Sequence, residues 1–532
     1  MRIAARTSRA TEGALADSRT PGARLDAWLG SAAQVDWTPW LIVALAAFLR
    51  LLLLGMKPPH FDEGINGWFV DQMTKNGFYR YDPTNYHGPL HFYILFIAQT
   101  LFGRNVWALR MPVVLGSISC VWLMFKFQPF VGRTAARWAA LAMAVSPAYV
   151  FYGRYTIHEV WLLLFSMLFI LGIVGLWRTG ERAYLWCLGM GVFGMILTKE
   201  TYIIHVGCAL MAMLVAWVSH KITPAADVKR ARQQWDYADL IAVLAVGVAA
   251  IVIFYTGTFF NWAGLKGLIG TFEAWFKTGS EGNGHEKPWW YWLMLTGRYE
   301  WAIAAGLLAC VFCQMFKEMT VRYLAIYGVG TLMAYSIVAY KTPWCIISIV
   351  WPLLFVFGAA LILLPKNLQR GGHIVAAVLL VVSLGQSIRL NYFHCTTDTE
   401  PYVYVQTYND IYKLTDPLLE LARRDPTKYQ LVGHMIRTSA YPLPWILGDF
   451  NKVGYYERET LPTPLDADFL VVQEDKLETV EAKLQGAYYT MPFTIRPYQD
   501  TSKLYLSAKV FHEFFPGRVP DFEGPRTRVP AP

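Results

Sequence analysis

The chain is poor in charge. Of its 532 residues only 16% are Asp, Glu, Lys or Arg, against 55% hydrophobic and 15% aromatic. A water-soluble domain carries about 25% charged residues. The deficit, together with apolar runs that recur along the chain, excludes a soluble globular protein and implies a polytopic membrane protein, mainly α-helical. No glycine-rich phosphate loop lies in the short basic segments between the runs, so energy from ATP is not expected to enter through this chain. No HExxH or comparable ligand spacing occurs. The seven cysteines fall mostly inside apolar runs (Cys120, Cys187, Cys208, Cys310, Cys313). Cys310 and Cys313 form a CxxC with no partner His or Cys nearby and read as packing residues, not a redox or metal pair. The formal charge of +9 does not point to nucleic acid, because Lys and Arg are dispersed through short loops where they set membrane topology. Behind Arg2, Arg6, Arg9, Arg19 and Arg24 no apolar stretch with a cleavage site follows at signal-peptide distance. The first apolar run is therefore expected to remain as an anchor.

What is present is a succession of candidate spans. They lie near Trp40–Met56 and at 106–126, 135–152, 160–177, 183–198, 201–218, 238–260, 301–316, 321–339, 345–364 and 373–390, about eleven in all. Pro89–Phe102 is shorter, opens with polar His-containing sequence, and is read as interfacial or re-entrant. With that choice the inner loops hold Lys126, Arg133 and Arg137; Arg178 and Arg182; Lys221, Lys229, Arg230 and Arg232; Lys317 and Arg322; Lys366 and Arg370. Positive charge then stays inside loop after loop. The expected organisation is a disordered cytoplasmic tail at 1–36, a membrane domain at 37–390, a small extracytoplasmic α/β domain at 391–514 and a disordered Pro- and Arg-rich tail at 515–532. In the α/β domain Tyr429–His434, Asp468–Gln473 and Tyr488–Arg496 read as strands, and Thr407–Arg424 and Asp475–Leu484 as helices. Tyr441–Trp445 is a turn-rich aromatic patch expected to face the membrane site or a partner.

This topology gathers scattered polar groups on one outer face. Asp62 and Glu63 stand directly beyond the first span, where carboxylates are costly near lipid. They are either solvated acids capping an interfacial helix at Gly64–Met73 or a general base with an orienting neighbour. Asp62, Glu63, His87, His158 and Glu159 are also suitable ligand types. No metal site is assigned, no cofactor is required, and a divalent cation stays open. Arg154 and Glu159 share a very short outer loop: either a snorkelling cation and a helix-start acid, or the wall of an anionic-substrate site. Lys199, next to Glu200, runs against the topology rule; it either snorkels or holds a lipid phosphate at headgroup depth. Lys341 is a second outer cation at that level. His205 reads as a packed core histidine. The 261–299 segment reads as a long aromatic loop, with Trp262, Trp275, Phe276 and Trp289 as anchors or sugar-stacking groups and Thr278–Pro288 as a lid.

The order of FDEG at Phe61–Gly64, HGPLHFY at His87–Tyr93, ALRMP at Ala108–Pro112, SPAYVFYGRYTIHE at Ser146–Glu159 and LTKET at Leu197–Thr201 resembles the GT-C superfamily of membrane glycosyltransferases. Within it the chain is similar to the protein mannosyltransferase and aminoarabinose transferase branch, and nearest the prokaryotic flippase-activity-associated group. The resemblance covers about residues 37–390. It implies a sugar transferred from a polyprenyl-phosphate donor to a glycan, lipid or protein acceptor outside the plasma membrane. It implies Asp62 as catalytic carboxylate with Glu63 as its partner, and Glu159 as a second acid. Arg154 and Lys199 would meet the lipid-linked phosphate. His87 and His91 stand where the aminoarabinose branch carries a lysine-bearing sequence. The rival reading is a non-catalytic accessory protein for moving lipid-linked glycans, which would need the cations but no base.

Overall fold

The computed structural model describes residues 36–85, 87–226, 230–280, 284–457 and 460–525. Apart from Asp36, the tail expected at 1–36 lies outside the described residues, as do 526–532 of the second tail, Lys229, and 281–283 of the glycine-flanked segment.

The apolar runs become helices. Among the described residues six are long and apolar enough to cross a membrane: Val106–Lys126, Glu159–Arg178, Tyr202–Ile222, Tyr237–Tyr255, Pro343–Leu363 and Lys366–Phe393. The remaining expected spans fall on Thr38–Leu51, Arg133–Val145 with Pro147–Tyr152, Arg182–Ile196, Trp301–Ala309 and Met319–Ile337. Leu90–Phe102 is a 13-residue helix, about 20 Å long against about 30 Å of hydrocarbon.

Burial separates centre from periphery. The Pro343–Leu363 stretch is 83% buried, whereas Tyr237–Tyr255 is 11% buried. The first is the axis of the bundle. Ala135, Ala136, Ala139 and Ala140 of Arg133–Val145 are fully buried, and Gly358 lies so close to that helix that a Cβ would stand 2.6 Å from the Ala135 carbonyl oxygen. Small residues let two helix backbones approach where lipid supplies no hydrophobic driving force. The peripheral helices instead expose Leu210, Met211, Leu214, Trp217, Ile241, Val246 and Val248, a surface that suits lipid and not water.

Beyond the last long helix the chain forms a six-stranded sheet in the order β2-β1-β3-β5-β4-β6. The strands are β1 (Val432–Ile436), β2 (Lys452–Tyr455), β3 (Phe469–Gln473), β4 (Ala487–Phe493), β5 (Ser502–Ser507) and β6 (Phe522–Glu523). β1 runs parallel to β2 and β3, with His434 opposite Gly454 and Leu470, while β5 is antiparallel to both β3 and β4. The Tyr412–Arg424 helix buries Leu414, Leu418 and Leu421 in the same core as Phe469, Val471 and Leu504. The strands expected around β1, β3 and β4 are present; β2, β5 and β6 had not been anticipated.

The sheet unit is seated on the Phe61–Asn76 helix. Gly64 and Gly67, one turn apart, face the turn at Leu443–Ile446. A Cβ on Gly64 would stand 2.4 Å from Pro442 Cα, and one on Gly67 2.5 Å from the Trp445 ring. Only glycine permits that approach. The aromatic patch therefore docks against the helix that carries the acidic pair.

Candidate active site

His60 starts the Phe61–Asn76 helix. Its Nδ1 accepts from the Asp62 backbone N–H at 3.0 Å, and Glu63 Oε2 accepts from the His60 backbone N–H at 2.9 Å. This reciprocal capping box satisfies two otherwise orphaned donors. Since Nδ1 accepts, Nε2 carries the ring proton and donates to the Tyr404 carbonyl at 2.8 Å. Burial lowers the His60 pKa, which keeps the ring neutral. Capping thus belongs to His60 and Glu63, and Asp62 is left for other work.

Glu63 and Asp62 are adjacent but point to different places. Glu63 is completely buried. It accepts from Arg110 Nε at 2.8 Å and Nη2 at 2.6 Å, and from the Thr156 N–H at 3.0 Å. Burial alone would raise its pKa, but Arg110 outweighs that and holds the carboxyl at about 2. Glu63 does not line a cavity, and its expected part as the catalytic partner of Asp62 gives way to that of a structural anion. Asp62 has a side chain 30% exposed. The single proton of the Tyr155 hydroxyl is shared between Asp62 Oδ2 at 3.0 Å and His60 Nδ1 at 2.5 Å, while Asp62 Oδ1 has no protein partner among the described residues. Asp62 lines a cavity of about 750 Å³ together with Asn66, His87, His158, Glu159, His285, Lys287, Tyr404 and Arg496.

The expected cations divide in the same way. Arg154 turns away from the cavity. Its guanidinium donates to the Leu49 and Leu53 carbonyls, both at 3.0 Å, and lies 4.6 Å from the Tyr392 ring centroid. These carbonyls close the end of the first membrane helix, where backbone acceptors lack intrahelical donors. The expectation that Arg154 meets a lipid phosphate is therefore corrected: helix termination claims the charge. Lys199 is buried and ion-paired with Glu159. His87 Nδ1 lies 3.2 Å from Glu200. Lys341 Nζ donates to the carbonyls of Lys287 and Val338.

His87–Pro89 lies on the Thr198–Lys199 turn. Gly88 N–H donates to Thr198 O at 3.0 Å and Leu90 N–H to Leu197 O at 3.1 Å; a Cβ on Gly88 would meet Leu197 O at 2.2 Å. The two motifs, distant in sequence, make one wall. Three imidazoles cluster there at tilted angles, with His158 4.6 Å from His87 and 4.2 Å from His91 between ring centroids. His91 is fully buried and accepts from Trp161 Nε1–H at 2.9 Å, so it supports the wall and does not line the cavity. His205 is packed, as expected, between the Tyr327 and Tyr335 hydroxyls.

A second cavity of about 320 Å³ adjoins the first and shares His87, Tyr340, Thr342 and Trp344 with it. Its wall is apolar and aromatic, with Ile204, Trp275, Phe276, Trp292 and Tyr335, and it is capped by Lys199, Glu200 and Lys341. Trp275 and Phe276 come from Ala263–Ser280, which is a helix and not the loop expected from the sequence. Among the described residues no three His, Cys, Asp or Glu side chains form a ligand-like cluster; Glu63 is engaged by Arg110 and Glu159 by Lys199.

Residues 86–254 match the family model of dolichyl-phosphate-mannose-protein mannosyltransferase. No curated protein sequence matches the chain significantly. Among solved structures the chain is similar to ArnT from Cupriavidus metallidurans bound to undecaprenyl phosphate, at 14% identity over 88% of this chain and 98% of that one, with a TM-score of 0.56. ArnT from the same organism in the apo state matches at 13% identity over the same shares, with a TM-score of 0.57. The chain has the fold of ArnT over most of its length. Within this fold the Phe61–Asn76 helix, which precedes the matched family segment, supplies Asp62, and the matched segment supplies His87, Glu159 and Lys199. Arg496, Lys287 and Tyr404 were not singled out from the sequence, because no local motif surrounds them.

Proposed function

We propose that this protein transfers a sugar from a polyprenyl-phosphate donor to an acceptor hydroxyl on the extracytoplasmic side of the plasma membrane, with Asp62 as general base. The observation that carries this reading is the pair of abutting cavities: one apolar and aromatic, the other polar with Asp62 in its wall, sharing His87, Tyr340, Thr342 and Trp344. A prenyl chain suits the first, and a sugar with its acceptor suits the second. The likeness to ArnT, whose structure holds undecaprenyl phosphate, supports the choice of donor class, and the hexosyl or pentosyl nature of the sugar belongs to the same proposal.

In this reading the donor phosphate rests at the junction, beside Lys199 and His87. Asp62 Oδ1 takes the proton of the acceptor hydroxyl as that oxygen bonds to the anomeric carbon. The bond from the anomeric carbon to the phosphate oxygen breaks, and its electron pair leaves with the lipid phosphate. Lys199 has three donors and gives one to Glu159 and one to Cys345 Sγ, so one remains to stabilise the developing charge. Glu159 orients Lys199. Tyr155 orients Asp62. An accessory protein that only moves lipid-linked glycans needs no base, and a carboxylate held in a cavity wall by a tyrosine favours transfer over that role.

The test is Asp62→Asn in a strain lacking the native copy, with envelope glycans and lipid-linked intermediates analysed by mass spectrometry. Loss of one sugar from the glycan, with the donor lipid accumulating, is expected. Normal glycan in the Asn variant would falsify the assignment of the base, and a complete glycan trapped on its lipid carrier would favour translocation.

A further inference from the structure

The polar cavity is closed on one side by the sheet unit, which sends Arg496 into it from the segment after β4. The Arg496 guanidinium lies over the Phe61 ring, with Cζ 3.6 Å from the centroid. Phe61 is the residue immediately before Asp62. Stacking fixes the plane of the guanidinium and leaves its N–H edge for ligands. That edge is poorly used. Nη2 reaches only Ser439 Oγ at 3.4 Å, and Nε is buried without a protein partner among the described residues. No ion pair joins Arg496 to Asp62 among the described residues. Burial pulls the pKa of Arg496 down to about 10, which leaves it charged at neutral pH.

The segment is held firmly. Ile495 is fully buried, its carbonyl accepts from Tyr408 N–H at 2.7 Å, and Gln499 Oε1 accepts from Arg437 at 2.8 Å. Between these anchors Tyr498 has φ of 61°, and across the cavity Val405 has φ of 55°, left-handed values that cost energy in a non-glycine residue. Two of the strained residues thus flank the place where Arg496 is presented.

Among the described residues charge in the cavity wall is unbalanced: the acids are Asp62 and Glu159, and the full cations are Arg496 and Lys287. Glu159 is already paired with Lys199, so two cations face one carboxylate whose own task is to accept a proton. Arg496 lines the polar cavity and not the apolar one. It therefore faces the space assigned to the sugar and its acceptor and not the space assigned to the lipid tail. We propose that Arg496, with Lys287, binds an oxyanion carried by the acceptor, such as a uronate carboxylate, so that the acceptor is an acidic molecule. This rests on the reading of Asp62 as the base.

The test uses the full-length protein in lipid nanodiscs with methyl glucuronoside, methyl glucoside and undecaprenyl phosphate as probes, binding being followed by saturation-transfer NMR. The wild type is expected to bind the glucuronoside about tenfold more tightly than the neutral glucoside, the size of one charge-assisted hydrogen bond. Arg496→Gln should remove that preference and leave the affinity for undecaprenyl phosphate unchanged. Equal binding of the two glycosides to the wild type overturns the proposal. So does a loss of undecaprenyl phosphate affinity in Arg496→Gln, which would assign the residue to the donor. If Arg496→Gln does not fold, Arg496→Lys, which keeps charge but not the planar fork, and Lys287→Gln must each reduce the preference; an unchanged preference in both overturns it. Failure of the wild type to bind undecaprenyl phosphate counts against the transferase reading alone, since the preference between the two glycosides is measured independently.

Discussion

Replacing Glu63 by Gln separates a structural anion from a catalytic one. In the folded protein the Glu63 carboxylate takes four donors: the His60 N–H, Arg110 Nε and Nη2, and the Thr156 N–H. Glutamine keeps the shape but loses the charge. It leaves Arg110 buried with no counterion, next to Lys57, whose own pKa burial has already pulled down to about 7. Removing one partner of a buried pair costs about 3–5 kcal/mol. The displacement of the Glu63 pKa from 4.5 to about 2 gives a consistent figure of about 3 kcal/mol. Because the folded-state pKa is depressed, this stabilisation is complete above the unfolded value of 4.5 and is lost as the pH falls from there toward 2. Thermal unfolding in detergent should therefore place the variant well below the wild type at neutral pH, and the gap should close on acidification. Turnover per folded molecule should persist. Unchanged thermal stability with turnover abolished would refute the reasoning and return Glu63 to the chemistry.

Tyr155→Phe removes the hydroxyl that donates to Asp62 Oδ2; kcat should fall about tenfold with KM for the donor unchanged, the worth of a hydrogen bond to a charged group, and an unaltered kcat would remove Tyr155 as a positioning residue. Arg154→Gln should lower the unfolding temperature, since the Leu49 and Leu53 carbonyls each lose one charged donor and keep the Tyr392 hydroxyl and the Met56 N–H, without changing the KM for a polyprenyl-phosphate donor; a tenfold rise in that KM would restore Arg154 to the phosphate site. Gly64→Ala drives a Cβ to 2.4 Å from Pro442 Cα, so limited proteolysis should release the sheet unit more readily than from the wild type, and equal protection would mean that the seam adapts.

Much of the bundle could be read from the chain because hydrocarbon demands long apolar runs, and those runs coincide with helices. The meeting of Asp62, His87, Glu159 and Lys199 could also be read, since loops too short to wander leave their charges at span ends on one face. The roles of individual charges were harder to read. Arg154 and Glu63 carry the residue types of a substrate site, yet their partners lie in other elements: Leu49 is 105 residues from Arg154 and Arg110 is 47 from Glu63. Nothing near them in sequence announces a helix end in need of donors or a buried counterion. Ala263–Ser280 was hidden for a local reason: Gly264, Gly267 and Gly270 lower helix propensity, while their spacing lets the helix lie against Tyr81 and Pro83. Arg496 was invisible because it enters the site only through the seating of one unit on Gly64 and Gly67.

In a chain so sparing of charge, each buried ionic group must answer either to the fold or to a ligand. Arg50 answers to the Ser117 hydroxyl and to the Ala46, Met143, Ala144 and Tyr149 carbonyls. Arg110 answers to Glu63, and Arg154 to a helix end. Arg322 donates to the carbonyls of Phe316, Thr223 and Gln314. Once those internal obligations are subtracted, the groups with unused capacity among the described residues include Lys199 Nζ, Asp62 Oδ1 and the N–H edge of Arg496, and the last two border the same polar cavity. A fold that merely needed charges for its own stability would have no reason to leave an acceptor and a donor unsatisfied in the wall of one cavity, and that coincidence is what a two-substrate site requires.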